Sequence, residues 1–218
     1  MTLLERITNV FIPNKTQKRD LSINNLYPNA NVMDTERALT LTAVWCAIRL
    51  LSESVSSLPI SVFTRKPNGD KIEDTKNPIY NLVKFKPNSY QNKITFFEFI
   101  MLSICTDGNA YARIIRNNAG RPVELICLDP DNVEVVIKDY ELFYQVNENG
   151  VYDASDILHF KTITDDGING ISPIDQCSKA LNWSSSLEEF GSTFFSNGAK
   201  PSSILQTDRA LSDTALQR

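Results

Sequence analysis

The chain has 218 residues, of which 42% are hydrophobic, and its 22 basic and 26 acidic side chains give a formal net charge of −4. This length suffices for one large domain or two small ones, and the apolar fraction is that of a soluble globular protein. The acidic balance argues against a conventional nucleic-acid-binding protein, which would carry a basic face, and no apolar run approaches the roughly 18 residues of a membrane span.

Prolines, asparagines and scattered charges fill residues 1–36. We predict an irregular arm there, apart from a short amphipathic stretch at Leu3–Phe11. The next segment is predicted to form a helix that Thr40 or Thr42 caps and that Pro59 ends. Apolar residues at helical spacing define the face that this helix is expected to bury: Val44, Ile48, Leu51 and Val55.

Two more helices are predicted before residue 110. They are preceded by a strand at Ile60–Arg65 and a turn at Pro67–Asp70. A short helix is expected over residues 77–84, opened by an Asn-Pro pair, and a longer helix begins with Thr95 as its cap and ends at Gly108. Spacing predicts their inward faces as Ile79, Leu82 and Val83 in the first helix, and Phe96, Phe99, Ile100, Ser103 and Ile104 in the second.

Short runs of alternating or apolar residues then follow one another, separated by Asn, Asp, Gly and Pro. Such runs are typical of strands joined by tight turns. We expect an antiparallel meander on which the preceding helices pack, which is an α+β fold. The predicted strands are Asn109–Arg116, Val123–Leu128, Val133–Lys138, Leu142–Val146 and Ile157–Lys161.

One long helix is predicted after residue 171. Ser172 can cap it, and Pro173 suits the first helical position, where no N–H is needed. Asn197 and Gly198 provide a left-handed C-terminal cap, and no proline interrupts the segment before Pro201. About 25 helical residues would span nearly 40 Å.

The composition of this helix permits two interpretations. Small residues occupy its centre, and Gly191 there costs roughly 1 kcal/mol relative to alanine. This favours close packing against neighbouring copies, whereas a core helix with a solvated serine face is the alternative. The apolar positions are Ile174, Cys177, Leu181, Leu187, Phe190, Phe194 and Phe195, and the small ones are Ala180, Ser184, Ser185, Ser186, Gly191 and Ser192.

The chain offers little for catalysis. His159 is the single histidine, no nucleophile motif is present, and no Cys or His spacing matches a metal site. We therefore predict no enzymatic activity, no cofactor and no metal. The four cysteines lie far apart in apolar contexts and are predicted to be buried free thiols: Cys46, Cys105, Cys127 and Cys177.

A glycine-containing loop at residues 165–170 precedes the long helix and raises a second hypothesis. Helix N-termini bind anions, so the chain could be a monomeric α+β module that binds a small anionic ligand near Ser172. However, the loop has no Walker lysine, and Gln176 stands where a calcium loop needs glutamate. The glycines are more simply explained by tight turning.

Three stretches resemble tailed-bacteriophage portal proteins of the shorter siphophage type, in the order and approximate spacing of that family. Val44–Phe63 (VWCAIRLLSESVSSLPISVF) is similar to the first helix and strand of the family, and Asp107–Val135 (DGNAYARIIRNNAGRPVELICLDPDNVEV) to its Gly-Asn-Ala-Tyr strand and Leu-Asp-Pro turn. Gly167–Asp175 (GINGISPID) and Glu188–Leu205 (EEFGSTFFSNGAKPSSIL) together resemble its signature around the long helix.

The resemblance implies a portal fold with an α+β wing at residues 37–171, a stem helix at 172–198 and the start of a clip at 199–218, so that the chain is expected to be the N-terminal half of such a subunit. It implies a homo-oligomeric ring of about twelve copies at one capsid vertex. Double-stranded DNA would pass through the ring without sequence specificity. Terminase, the head–tail adaptor and capsid proteins would be partners, in the virion and in the host cytoplasm during assembly.

The same resemblance implies architectural roles, with no side chain assigned to face DNA. One group would set the angle between wing and stem: Gly167, Gly170, Ser172 and Pro173. A second group would set the turn from stem to clip: Asn197, Gly198 and Pro201. Phe190, Phe194 and Phe195 would anchor the end of the stem.

Overall fold

The computed structural model describes residues 33–147 and 150–199. The chain divides into two compact units, Met1–Asn182 and Trp183–Arg218. Most of the predicted arm and nearly all of the predicted clip region lie outside the described residues. Where the arm is described, the prediction of irregular structure is wrong at its end, because a short helix already begins at Thr35.

The described part of the first unit contains helices, eight strands and two 3₁₀ turns. The helices are α1 Thr35–Thr40, α2 Thr42–Ser57, α3 Pro78–Lys84 and α4 Lys93–Asp107. The strands are β1 Phe63–Arg65, β2 Lys71–Glu73, β3 Asn109–Arg116, β4 Pro122–Leu128, β5 Val133–Lys138, β6 Glu141–Val146, β7 Gly150–Asp153 and β8 Ile157–Lys161. The predicted long helix, α5, is unbroken over Pro173–Ser196 and contributes to both units.

The strands form a small hairpin, β1-β2, and two three-stranded antiparallel sheets with the orders β4-β3-β8 and β5-β6-β7. The predicted antiparallel α+β character is confirmed, but only β5-β6-β7 is a simple meander. Strand β8 instead returns to the free edge of β3, with Tyr111 opposite His159 in the register. Strand β7 was missed because four residues that include Gly150 carry too little alternation to predict a strand.

Strand β3 is the centre of the first unit because it is buried on both faces. Ala110 and Ala112 point towards α3 and α4, where they pack in one cluster with Phe96 and Ile100. Tyr111, between them, packs in a second cluster towards β5-β6-β7. Side chains alternate along a strand, so this one segment holds a helical layer on one side and a second sheet on the other.

Helix α2 packs against α4 with a different face from the predicted one. Ile48 is buried as expected, but Leu51 is 51% exposed and Ser52 and Ser56 are buried instead. The buried stripe is rotated by about one position, since small serine side chains permit a closer approach of two helices than leucine does.

Side-chain caps also differ from prediction in two helices. Helix α3 is capped by Asn77, as predicted, whose Oδ1 accepts an N–H of the first turn at 3.0 Å. Helix α4 begins earlier than predicted, and its cap is Asn92, whose Oδ1 accepts the N–H of Thr95 at 2.9 Å. At the start of α2 the capping position is Leu41, which makes no side-chain cap bond and is buried.

The start of α5 is held by a third apolar cluster. Met33, Ala38, Leu41 and Ile174 are buried together, with Leu181 packed against them. This cluster joins the first turns of α5 to α1 and to the beginning of α2.

Two of the four cysteines contradict the prediction of burial. Cys46 and Cys177 are exposed, because they lie on faces of α2 and α5 that pack against nothing described. Cys105 and Cys127 are half-buried, and burial raises the pKa of the Cys127 thiol to about 12. None of the described helices is long and apolar enough to cross a membrane.

The connection between α3 and α4 provides a test of the fold. Asn88 is buried, and its Nδ2 donates to the carbonyl of Leu125 on the outer edge of β4 at 2.8 Å. The Asn88→Ala substitution leaves that carbonyl without this donor, so we expect the free energy of unfolding to fall by about 2 kcal/mol in urea titrations. Asn118→Ala, in an exposed turn, is the matched control and should change it by less than about 0.5 kcal/mol. Equal effects of the two substitutions would contradict the assignment.

Candidate functional site

Three of the residues predicted to set the angle between wing and stem, Gly170, Ser172 and Pro173, meet at a junction where α4 ends, β8 ends and α5 begins, and the fourth, Gly167, lies in the loop before it. Gly108 ends α4 in the left-handed conformation, with φ 75°. A Cβ on Gly108 would lie 2.4 Å from the carbonyl oxygen of Ile171, and a Cβ on Gly170 would lie 2.0 Å from the carbonyl oxygen of Gly108. No side chain fits at either distance, so the two backbones approach as closely as they do because both residues are glycine.

Threonine and serine hydroxyls join the same backbones. The N–H of Thr162, just after β8, donates to the carbonyl of Gly108 at 2.9 Å, and its Oγ1 lies 2.8 Å from the carbonyl of Ile171. The hydroxyl of Ser172 donates to the carbonyl of Thr106, in the last turn of α4, at 2.6 Å. The bonds to Thr106 and Gly108 satisfy carbonyls that the end of α4 leaves unpaired, and the bond to Ile171 satisfies a carbonyl of the loop before α5.

Ser172 is also the cap of α5, as predicted. Its Oγ accepts the N–H of Asp175 at 3.2 Å while it donates to Thr106. Pro173 is the first residue of the helix. One hydroxyl therefore both starts the helix and ties it to α4.

Asn109 is the junction residue that the sequence predictions missed. Its Nδ2 donates to the carbonyl of Gly170 at 2.9 Å, and its Oδ1 accepts the N–H of Gly170 at 2.6 Å. An amide side chain thus pairs with both backbone groups of Gly170, as a neighbouring strand would. The available signal was the position of Asn109 in the Gly-Asn-Ala-Tyr stretch, directly after the helix-ending glycine.

His159 supports Asn109 from the adjacent strand. Its Nε2 lies 3.0 Å from Asn109 Oδ1, and its Nδ1 lies 3.2 Å from the hydroxyl of Tyr144. Since Asn109 Oδ1 accepts, Nε2 carries the proton and Nδ1 accepts from Tyr144. Burial, with Lys161 nearby, lowers the pKa of His159 to about 4, so the ring is neutral at physiological pH. The ring of Tyr111 stacks on the ring of His159, with the two centroids 4.4 Å apart.

The loop before the junction is closed by Asp166 within it and by Lys161 at the end of β8. Asp166 Oδ1 accepts the N–H groups of Ile168 and Asn169, both at 2.7 Å. Lys161 Nζ donates to the carbonyls of Gly167 and Ile168 at 2.8 and 2.9 Å. Gly167 has φ 77° and open space around its α-carbon, so it is needed for backbone conformation and not for a close approach.

The surroundings of the α5 start oppose the hypothesis of an anion-binding module. Burial raises the pKa of Asp107, and the carboxylates of Asp131, Asp129 and Asp175 raise it further. An anion at Ser172 would meet this negative field and would have to displace the bond between the Ser172 hydroxyl and the N–H of Asp175. Among the described residues, no group of three His, Cys, Asp or Glu side chains could hold a metal ion.

The other predicted architectural residues lie in the second unit, at the end of α5. Phe190 and Phe194 stack with centroids 6.2 Å apart, and Phe195 meets Phe194 edge to face at 5.7 Å. All three are exposed.

The predicted C-terminal cap of α5 is confirmed. Gly198 has φ 73°, and its N–H donates to the carbonyl of Phe195 at 3.0 Å. The N–H of Ala199 donates to the carbonyl of Phe194, which completes a Schellman motif. The backbone N–H of Asn197 still donates to the carbonyl of Thr193 within the helix. Pro201 lies outside the described residues.

Solved structures share this fold. A crystal structure of a HK97 family phage portal protein from Corynebacterium diphtheriae matches with a TM-score of 0.56 and 18% identity, over 85% of this chain and 58% of that one. The neck of an empty gene transfer agent particle, computed with C6 symmetry, matches with a TM-score of 0.63 and 20% identity, over 86% and 55%. At these identities the likeness shows the fold alone.

Sequence relatives define the family. The sequence model for the family described as "Phage portal protein" matches residues 42–218. The portal protein of Enterobacteria phage HK97 is 30% identical over 200 residues, which are 89% of this chain and 47% of the relative. The probable portal protein of Streptomyces phage phiC31 is 27% identical over 195 residues, 83% and 42%. The chain belongs to the phage portal protein family, and it spans about half the length of these curated relatives.

Because the two glycines approach so closely, we expect that adding one methyl group at Gly170 destabilises the fold strongly. Gly170→Ala places its Cβ against the Gly108 carbonyl, so we expect the free energy of unfolding to fall by about 2–4 kcal/mol in denaturant titrations followed by circular dichroism. Gly191→Ala is the matched control, because nothing lies within 4 Å of its added Cβ. That substitution should stabilise α5 by up to about 1 kcal/mol. Wild-type stability of Gly170→Ala would refute the steric argument.

The neutral state of His159 predicts a pH dependence. The folded pKa is about 4 and an unfolded histidine titrates near 6.5, so the unfolded chain binds the extra proton between these values. Stability should fall as pH is lowered from about 6.5 to about 4, with no further loss from this residue below that. Because the ring is only partly buried, we expect a loss of about 1–2 kcal/mol.

His159→Gln is the control for this titration. Glutamine keeps a donor for Asn109 but cannot titrate, so urea unfolding at pH 7.0, 5.5 and 4.5 should show a smaller loss in the variant. Carboxylates titrate in both proteins, and the difference between them is therefore the quantity of interest. Parallel curves for the two proteins would show that His159 does not carry the effect.

Proposed function

We propose that the protein is a ring-forming subunit of the portal at one vertex of a tailed-phage capsid, and that the ring encloses the channel for packaging and ejection of double-stranded DNA. The observation that carries this proposal is the match of residues 42–218 to the phage portal family. The fold, shared with solved portal and neck structures, supports it. The role is structural, with no chemistry of its own.

Each part of the proposed portal subunit corresponds to a range of residues. Residues 37–171 would form the wing, 172–198 the stem and 199–218 the start of the clip. The junction around Gly167, Gly170, Ser172 and Pro173 would set the direction in which the stem leaves the wing. Three contacts support this role: the paired glycines, the Asn109 amide and the apolar cluster around Ile174.

Exposed apolar side chains in the second unit support the proposal that the protein assembles with further copies of itself. Leu187, Phe190 and Phe195 are each about 70% exposed within the described residues. A contiguous group of exposed apolar side chains is typical of an interaction surface. The Schellman cap at Gly198 would set the turn into the clip, together with Asn197 and Pro201.

The charge of the chain is compatible with a DNA channel. A net charge of −4 provides no strong grip on phosphates, and a tight contact at each phosphate would slow DNA passage. Terminase, the head–tail adaptor and capsid proteins are the proposed partners. The proposed locations are the virion and, during assembly, the host cytoplasm.

Assembly tests this function directly. The protein expressed from its complete gene should form a discrete particle of several hundred kilodaltons with a central channel, of about twelve copies, in native mass spectrometry and electron microscopy. A monomer at every concentration would refute the proposal.

A matched pair of substitutions tests whether the exposed end of α5 is part of the surface through which copies assemble. Phe195→Asp should prevent ring formation, because it places a charge on the exposed apolar end of α5. Ile163→Asp changes a residue of similar exposure in the loop after β8 (85%, against 74% for Phe195) and should leave the ring intact. Equal effects would show that the end of α5 has no special part in assembly.

A further inference from the structure

Four hydrogen bonds fix the orientation of the side-chain amide of Asn109. Its Oδ1 accepts the N–H of Gly170 at 2.6 Å and lies 3.0 Å from Nε2 of His159. Its Nδ2 donates to the carbonyl of Gly170 at 2.9 Å and to the carbonyl of Asp107 at 3.1 Å. In the reverse orientation the amide nitrogen would face the N–H of Gly170, and the amide oxygen would face both carbonyls. The observed orientation is therefore the one that satisfies all of these groups.

This orientation determines which nitrogen of His159 carries the proton. Asn109 Oδ1 is an acceptor, so the proton of the neutral imidazole lies on Nε2 and Nδ1 presents a lone pair. The hydroxyl of Tyr144 lies 3.2 Å from Nδ1 and donates to it. Tyr144 is buried, with 4% of its surface exposed, so a lone pair left without this donor would be unfavourable. The imidazole is therefore held by hydrogen bonds on both sides.

Tyr144 belongs to a different sheet from the other residues in this series of hydrogen bonds. It lies in β6, the central strand of the second sheet, whereas Asn109 and His159 lie in β3 and β8 of the other three-stranded sheet. The ring of Tyr144 meets the ring of His159 edge to face, with the centroids 5.7 Å apart, and the ring of Tyr111 at 5.8 Å. These contacts hold the hydroxyl of Tyr144 next to His159. The second sheet thereby has a polar contact that leads to the junction.

We propose that Tyr144 is a positioning residue for the start of α5, on which it acts through His159 and Asn109. Its hydroxyl holds the imidazole, the imidazole holds the amide, and the amide holds both backbone groups of Gly170. Buried hydrogen bonds in series polarise and strengthen one another, so the loss of the first bond weakens the last. A displacement of the second sheet away from β8 would therefore loosen the backbone just before α5. This link lies within one chain, and it goes beyond the proposed function because it does not require a ring.

Amide hydrogen exchange of Gly170 tests the link. Tyr144→Phe removes only the hydroxyl, and we expect the Gly170 N–H to exchange about fivefold faster, as for the loss of one ordinary hydrogen bond. The measurement is residue-resolved mass spectrometry of the protein expressed from its complete gene, with every variant in the same state of assembly. The N–H of Ile168, which lies in the same loop but bonds Asp166, is the internal reference and should keep its rate. Equal acceleration of the two amides would show a general loosening of the loop and overturn the proposal.

Tyr111→Phe is the matched control variant. Tyr111 belongs to the same aromatic cluster as Tyr144 and is buried to the same degree, with 3% of its surface exposed. Its ring stacks on His159, but neither nitrogen of the imidazole bonds its hydroxyl. We therefore expect Tyr111→Phe to leave the exchange of the Gly170 N–H unchanged. An acceleration equal to that in Tyr144→Phe would assign the effect to the packing of the cluster and not to the hydrogen bond, and would contradict the proposal.

A second experiment tests whether the effect passes through Asn109. In an Asn109→Ala background the last bonds of the series are already absent, so Tyr144→Phe should cause no further acceleration at Gly170. A repeated effect of the same size would show a different route and refute the link. All of these outcomes leave the portal function intact, whereas a protein that forms no ring would refute the portal function and not this link.

Discussion

The first unit depends on one steric constraint, the mutual approach of the backbones at Gly108 and Gly170. A Cβ at either position would lie well inside van der Waals contact with the other segment. The approach places the end of α4, the end of β8 and the start of α5 within hydrogen-bonding distance of one another. Asn109, Thr162 and Ser172 then satisfy the backbone groups that meet there. The two glycines allow the backbones to come this close, and the hydrogen bonds of the polar side chains stabilise that arrangement.

This junction is connected to the core through strand β3. Asn109 is the first residue of that strand, and the next three residues are buried on alternating faces. The start of β3 therefore connects the junction both to the helical layer and to the second sheet. His159 extends the connection sideways, because its ring lies between the Asn109 amide and the Tyr144 hydroxyl. A shift at the start of α5 would have to disturb a strand that is packed on both sides.

Local signals were sufficient to predict most elements. The bounds of β3, β5 and β8 agree with prediction to the residue, because turn residues and a helix-ending glycine delimit them. The Ser172 cap was also visible, since capping involves neighbours in sequence. Periodicity predicted the wrong stripe of α2, because it favours the apolar Leu51 over Ser52, whereas the residue buried against α4 is the smaller Ser52. The pairing of Asn109 with Gly170 joins residues 61 apart, and no local pattern encodes it.

At the junction, a few polar side chains bond main-chain groups, and the two glycines meet main-chain atoms. Substitutions among the surrounding side chains can therefore accumulate over evolution without changing the path of the chain, provided that the two glycines and the few polar side chains persist. Such a joint tolerates sequence divergence well, and it can retain its geometry among relatives that differ at most other positions.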